Sequence, residues 1–333
     1  MIHVTPSPTV FTIGPATIAW YGIGYAVALA VGVWVAGRQA RLRAEKPDHI
    51  ANAIIPVFAL GLIGARLYHV IDQWNNIYAA DPLKVILPPY TGLALYGGVI
   101  GGIVGAAIYT RRQGLPFQRW ADIAVPSLFL GQAIARWGNF FNQELYGPPT
   151  SLPWGIEIDC AHRVAAYPCT LYPQATTGFH PLFFYESALT LLGGLIALWA
   201  TRRLATRMRD GDLLSLWLVW YGLVRSYLET FRLTYDWTFF GVPTAVVVGL
   251  GATAIGVVTF VLRHRGPGQS VAEVDELRRL GGAGPDHEAD ASDGDGTSRG
   301  PDTPAPVPAP VGGPGHLSAG AAAEPPDESV SHA

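Results

Sequence analysis

The 333-residue sequence is half hydrophobic and only 14% charged, with ten tryptophans and a net charge of −3. A mean hydropathy of +0.26 with so few charges argues against a nucleic-acid-binding protein and fits a polytopic membrane protein. Two regions are averaged in these figures: from Gly266 onward three basic residues face twelve acidic ones, net −9, which leaves +6 for residues 1–265.

In residues 1–265, mostly apolar runs of about twenty residues recur, the length that crosses a hydrocarbon core of about 30 Å. They cover residues 18–37, 54–74, 93–109, 123–137, 181–200, 213–231 and 242–262. The expected fold is an all-α polytopic membrane protein with seven transmembrane helices. The first run begins too late, is too long, and lacks a basic leader or clear cleavage site, so it is expected to stay in place. Basic residues assign the sides. Arg38, Arg41, Arg43 and Lys46 follow the first run, Arg111, Arg112 and Arg119 the third, Arg202, Arg203, Arg207 and Arg209 the fifth, and Arg263 and Arg265 end the seventh. The opposite loops hold Lys84, Arg163 and Arg232. Thirteen against three places the N-terminus outside and the C-terminus in the cytoplasm.

Along the chain, the first run carries Tyr21 near its external end. In the third, "LYGGVIGGIVG" spaces glycines four apart, at 97, 101 and 105 and at 98 and 102. Such spacing suits close helix packing; Gly97 and Gly98 could also open room for a substrate beside Tyr96. The fourth run ends in "ARWGNFFNQELYG", which gathers Arg136, Asn139, Asn142 and Glu144. Asp122, at its cytoplasmic start, reads as an N-cap.

Residues 138–180 form an external segment that contains both cysteines, Cys160 and Cys169, as a disulfide or as free thiols. "HPLFFYES" opens the fifth run with His180 and Glu186, an architectural pair on this reading. In the sixth, "WYGLVRSYLETFR" sets Tyr221, Arg225, Glu229 and Arg232 four, four and three residues apart, on one helix face. A charge within a span costs about 2.5 to 3.5 kcal/mol on insertion scales, so this face cannot meet lipid. The fourth and sixth runs both point outward, which brings their polar ends to one membrane depth as a shared external-leaflet cavity. Paired guanidinium groups suit a phosphate diester, and asparagines suit glycerol hydroxyls and ester carbonyls. The acidic Pro/Gly/Ala-rich tail, residues 266–333, is too polar to bury a core and is expected to be disordered.

These motifs resemble those of the prolipoprotein diacylglyceryl transferases. The family's R-x-G-N-F-x-N-x-E-x-x-G pattern is met by Arg136, Gly138, Asn139, Phe140, Asn142, Glu144 and Gly147. "IGPATIAWYGIGY", "GARLYHV", "HPLFFYES" and "WYGLVRSYLETFR" agree in the same order, over roughly residues 10 to 263. The resemblance implies transfer of the diacylglyceryl group of phosphatidylglycerol to the lipobox cysteine of a preprolipoprotein signal peptide, with release of glycerol 1-phosphate. It implies no metal and no cofactor, and a monomer is expected. By this resemblance Arg136 and Arg225 hold the phosphate, Asn139, Asn142 and Glu144 the glycerol side, and Tyr21, Tyr221, Glu229, Arg232, Gly97, Gly98 and His180 complete the cavity. Glu229 either takes part in the chemistry or orients Arg225.

Many relatives have His-Gly-Gly where this sequence has Tyr96, Gly97 and Gly98. A histidine there would suit a general base, whereas a phenol with a pKa near 10 is a poor one unless a cation lowers it. Tyr96, Glu229, His180, water, or no dedicated protein group are the open choices. Two rival readings are a small-solute or ion transporter, since charges within spans also mark ion paths, and a non-catalytic lipid-binding membrane protein.

Overall fold

The apolar runs fold as helices in a computed structural model that describes residues 1–14, 16–85, 92–233 and 238–281. Seven helices of 18 or more residues lie among the described residues: α1 (Trp20–Leu42), α2 (Asp48–Asp72), α3 (Leu95–Arg112), α4 (Phe117–Ala135), α6 (Leu182–Arg203), α7 (Asp212–Glu229) and α8 (Thr244–His264). Each expected run falls on one of them. A short α5 (Trp137–Phe141) continues α4, and α9 (Val271–Gly281) follows α8. Four helices, α1, α2, α6 and α8, are long and apolar enough to cross a membrane. Paired arginines and many glycines lower the hydropathy of α3, and internal charges lower that of α4 and α7.

Glycines decide how close the helices come. A Cβ on Gly97 would strike the Gly64 carbonyl and Tyr68 Cβ, one on Gly101 the Leu60 carbonyl, and one on Gly105 the Pro56 carbonyl. The α2 and α3 backbones are therefore in direct contact, which only residues without a side chain permit. Gly97 thus belongs to a packing seam, the first of the two roles its spacing allowed. Helix α4 is the hub: Val125 and Phe129 pack with Ala197 and Ala200 of α6 and Leu213 of α7 in one buried cluster.

One end of the bundle carries a small layer of short strands and loops. A two-residue ladder pairs β3 (Pro149–Thr150) with β4 (Gly178–Phe179), and Tyr146, Ile156, Ile158, Phe179 and Phe183 bury one another there. Cys160 and Cys169 are joined as a disulfide. The N-terminal arm docks on this layer, with the Ile2 amide on the Gly155 carbonyl at 2.7 Å and the Glu157 amide on the Ile2 carbonyl at 3.1 Å. A hairpin of β1 (Thr9–Ile13) and β2 (Ala16–Ala19) follows, so the first helix begins at Trp20 rather than at residue 18.

The other end is charged, and here two expectations need correction. Asp122 does not cap its own helix: its carboxylate accepts the Gly211 and Leu214 amides, each at 2.8 Å, and so caps α7 from a neighbouring helix. Disorder does not begin at Gly266 either. The run Ser270 to Glu273 forms a capping box, with the Ser270 amide donating to Glu273 at 2.6 Å and the Glu273 amide to Ser270 Oγ at 3.3 Å. Helix α9 follows and buries Val271 and Asp275. Asp275 takes a 2.6 Å bond from Arg119, which is fully buried and also binds Glu45 at 2.5 Å and the Arg43 carbonyl at 2.6 Å. Composition averaged over the whole tail hid this local signal. The remaining expected disorder, residues 282–333, lies outside the described residues.

Candidate functional site

The polar residues of the fourth and sixth apolar runs meet at the end of the bundle that carries the disulfide. Arg136 caps α4 and its Nη2 lies 2.5 Å from Glu186 Oε1, at the start of α6. Arg225 and Glu229 pair across one turn of α7 at 2.9 Å, and Arg232 lies 3.7 Å from the same carboxylate oxygen. Tyr221 stands within electrostatic reach of Arg225, Tyr96, Glu186 and Arg136, so α3, α4, α6 and α7 all contribute to one cluster. Glu186 is thus paired with Arg136 and, at 3.4 Å, with Gln132, instead of fixing the external layer. Sequence offered one sign of this, a carboxylate inside an apolar helix.

The second half of the signature forms an adjoining network. Asn139 Nδ2 donates to Glu144 at 2.7 Å and to the Tyr21 hydroxyl at 3.2 Å, and Asn142 Nδ2 reaches Glu144 at 3.4 Å. Gly138 is required by Tyr21: a Cβ there would stand 2.8 Å from the phenol ring. Asn142, Glu144 and Arg232 share the wall of a polar cavity of about 330 Å³, which joins the two networks. An apolar cavity of about 410 Å³ has Gly138 in its wall, with Trp20, Val27, Ile134, Trp137 and Leu191 among others.

Several groups retain unused capacity. Arg136 Nε and Asn139 Oδ1 are buried without a hydrogen-bond partner among the described residues. Glu229 Oε2 is close to two guanidinium groups yet aligned with neither for a hydrogen bond. Buried polar atoms seldom stay unpaired without cause.

His180 and Gly98 lie outside this cluster, and Tyr96 is its contribution from α3. His180 Nδ1 is 3.0 Å from the Tyr185 hydroxyl, its ring lies against Phe231, and its carbonyl accepts the Gly147 amide at 2.8 Å. It anchors the disulfide-bonded layer on α6. Gly98 is half buried, where an added Cβ would stand 3.5 Å from Ala65 Cβ. Tyr96 begins α3 beside Tyr68, ring centroids 6.3 Å apart.

The family profile described as prolipoprotein diacylglyceryl transferase matches residues 8–262. The protein belongs to that family. Proteins named phosphatidylglycerol–prolipoprotein diacylglyceryl transferase are similar along most of the chain. The Chloroflexus aggregans protein is 40% identical over 227 residues, 66% of this chain and 74% of its own. The Synechococcus elongatus protein is 36% identical over 260 residues, 77% and 87% of the two chains. The Bifidobacterium longum protein is 33% identical over 291 residues, 82% and 92%. The profile match ends just before α9.

Proposed function

We infer that the protein transfers the diacylglyceryl group of phosphatidylglycerol to the lipobox cysteine of preprolipoproteins, the first step of lipoprotein maturation. Membership in the family supports this, and so does one feature of the bundle: Arg136 and Arg225, from different helices, both act electrostatically on Tyr221. Each is balanced by its own carboxylate. A phosphodiester between them would gain charge-assisted hydrogen bonds.

In the transfer, the cysteine thiolate attacks the diacylglyceryl carbon that bears the phosphate. The C–S bond forms as the C–O bond breaks, and glycerol 1-phosphate leaves with the bonding pair. The thiol proton passes to a base or to solvent. Fixed guanidinium groups in a water-poor site stabilise charge building on the departing phosphate, and holding both reactants in line removes much of the entropic barrier. Asn142 and Glu144 line the polar cavity and, with Asn139 bonded to Glu144 and to Tyr21, suit the glycerol hydroxyls. The apolar cavity beside Gly138 suits an acyl chain. Arg232 and Glu229 complete the cationic wall, with Glu229 orienting Arg225.

On this reading all seven long helices span the cell membrane. The signature end faces outward, beside the disulfide, and the Arg119 end faces the cytoplasm. The protein works as a monomer. Purified protein, phosphatidylglycerol vesicles and a lipobox peptide should give a peptide heavier by one diacylglyceryl group, with free glycerol phosphate. Unmodified peptide, under conditions in which a related transferase is active, would sink the reading.

A further inference from the structure

Within the signature, Gln143 occupies a position that the family pattern leaves open, yet its geometry is unusual. Its φ is +52°, in the left-handed region, and Leu145 two residues later has φ +54°. Residues other than glycine are uncommon there, and such outliers cluster where surrounding structure imposes them for a purpose. Glycine would hold this turn without strain, so the glutamine side chain must supply what glycine could not.

That side chain is buried and fully engaged. Gln143 Nε2 donates to Asp159 Oδ2 at 2.7 Å and to the Pro6 carbonyl at 3.3 Å, while its Oε1 accepts the Asp159 amide at 2.9 Å. Asp159 is itself pinned: Oδ1 accepts the Ala161 and His162 amides at 3.0 and 3.1 Å and lies 2.7 Å from His162 Nδ1. The next residue is Cys160, held by the disulfide. One amide therefore ties together the signature turn, the N-terminal arm and the cross-linked loop. On either side of it, Asn142 and Glu144 line the polar cavity with Gln143 itself.

We propose that Gln143 is a positioning residue: its two-sided clamp on Asp159 fixes the left-handed turn that aims Glu144 and Asn142 at the substrate's polar head. The disulfide-bonded layer is then the template on which half of the site is cast. This rests on the transferase reading above, because Glu144 is there placed on the glycerol side.

The test exchanges donor and acceptor. Q143G suits the backbone but removes the clamp, so thermal stability should stay within a few degrees of wild type while kcat/KM for phosphatidylglycerol falls at least ten-fold. Q143E sets two carboxylates against each other and should also lose at least ten-fold. Adding D159N to Q143E restores complementarity toward residue 159, because an amide at 159 can donate where Oδ2 accepted and the new carboxylate can still take the 159 amide; only the longer 3.3 Å bond to the Pro6 carbonyl stays unmade. That double variant should return to within about three-fold of wild type. Wild-type kcat/KM in Q143G, or a double variant that regains stability without activity, overturns the proposal. Hydrogen exchange over residues 139–147 provides a readout independent of turnover: it should speed up in Q143G and Q143E and slow again in the double variant. If wild type itself transfers nothing, the transferase reading fails. The exchange pattern then still decides whether the clamp orders the turn, and unchanged exchange in Q143G overturns it.

Discussion

Replacing Asp275 with alanine should destabilise the whole bundle from a residue outside the family domain. Arg119 is fully buried, so every partner it loses leaves charge unbalanced in a medium that solvates poorly. Removing one member of a buried pair commonly costs about 3 to 5 kcal/mol. Arg119 keeps Glu45 at 2.5 Å, the Arg43 carbonyl at 2.6 Å and Asp210 at 3.4 Å. Those remaining partners bring the expected loss down to about 2 to 3 kcal/mol on that scale. At about 2 to 4 °C per kcal/mol for a domain near this size, the melting transition should drop by about 5 to 10 °C. Asp275→Asn keeps an acceptor oxygen and should cost about half as much. Arg279→Ala serves as the control, since its 3.2 Å bond to the Leu42 carbonyl is exposed. It should shift the transition by no more than about 1 °C. The assay is thermal unfolding of detergent-solubilised protein followed by fluorescence at one fixed scan rate, because membrane proteins of this size commonly unfold irreversibly. Transfer at a permissive temperature should persist, the cluster being at the opposite end from Arg136. An Asp275→Ala transition within 1 °C of wild type would refute the claim that α9 is an integral part of the fold.

Arg136→Ala should lower turnover by about two to three orders of magnitude, as expected when a donor to developing charge is removed. Pairing it with Glu186→Gln controls for the carboxylate left unpaired, and recovery of activity in the double variant would show that Arg136 is only a counter-ion. Tyr96→Phe should cost about two- to twelve-fold, the worth of one hydrogen bond. A thousand-fold loss in a stable protein would instead make the phenol the proton acceptor. Burial works against the Asp159 carboxylate, but its bonds from His162 and Gln143 outweigh it and hold the pKa below the ordinary 3.8. Its contribution to the external layer is therefore complete above pH 3.8 and is lost as pH falls through the lower folded value. Near-UV circular dichroism during acid titration should show this step, and Asp159→Asn should abolish it; an unchanged profile would count against the linkage.

How much could be read from the sequence depended on whether the signal was local. Each apolar run marked a helix, because helix formation in a membrane follows from consecutive apolar residues. The steps of four, four and three from Tyr221 to Arg232 placed those side chains on one face by helical geometry alone. Partners across elements were not legible. Glu186 was visible as a charge in an apolar helix, but nothing in its neighbours named Arg136 as its counter-ion. Asp122 borders the fourth apolar run and so read as a local cap, but α4 begins earlier, at Phe117, and packing of α4 on α7 sets Asp122 on the Gly211 and Leu214 amides.

The sequence by itself determined the helices, the family and the residue types in the site, since these rest on hydrophobic runs, periodicity and a contiguous motif. Tertiary structure decided which charges neutralise which, that Cys160 meets Cys169, and that a glutamine at φ +52° is clamped on Asp159. It also decided that eleven residues of an acidic tail form a helix over a buried arginine. Such pairings depend on the free-energy cost of leaving a buried polar group alone. That cost arises only once folding has removed the water, so no single stretch of sequence contains it.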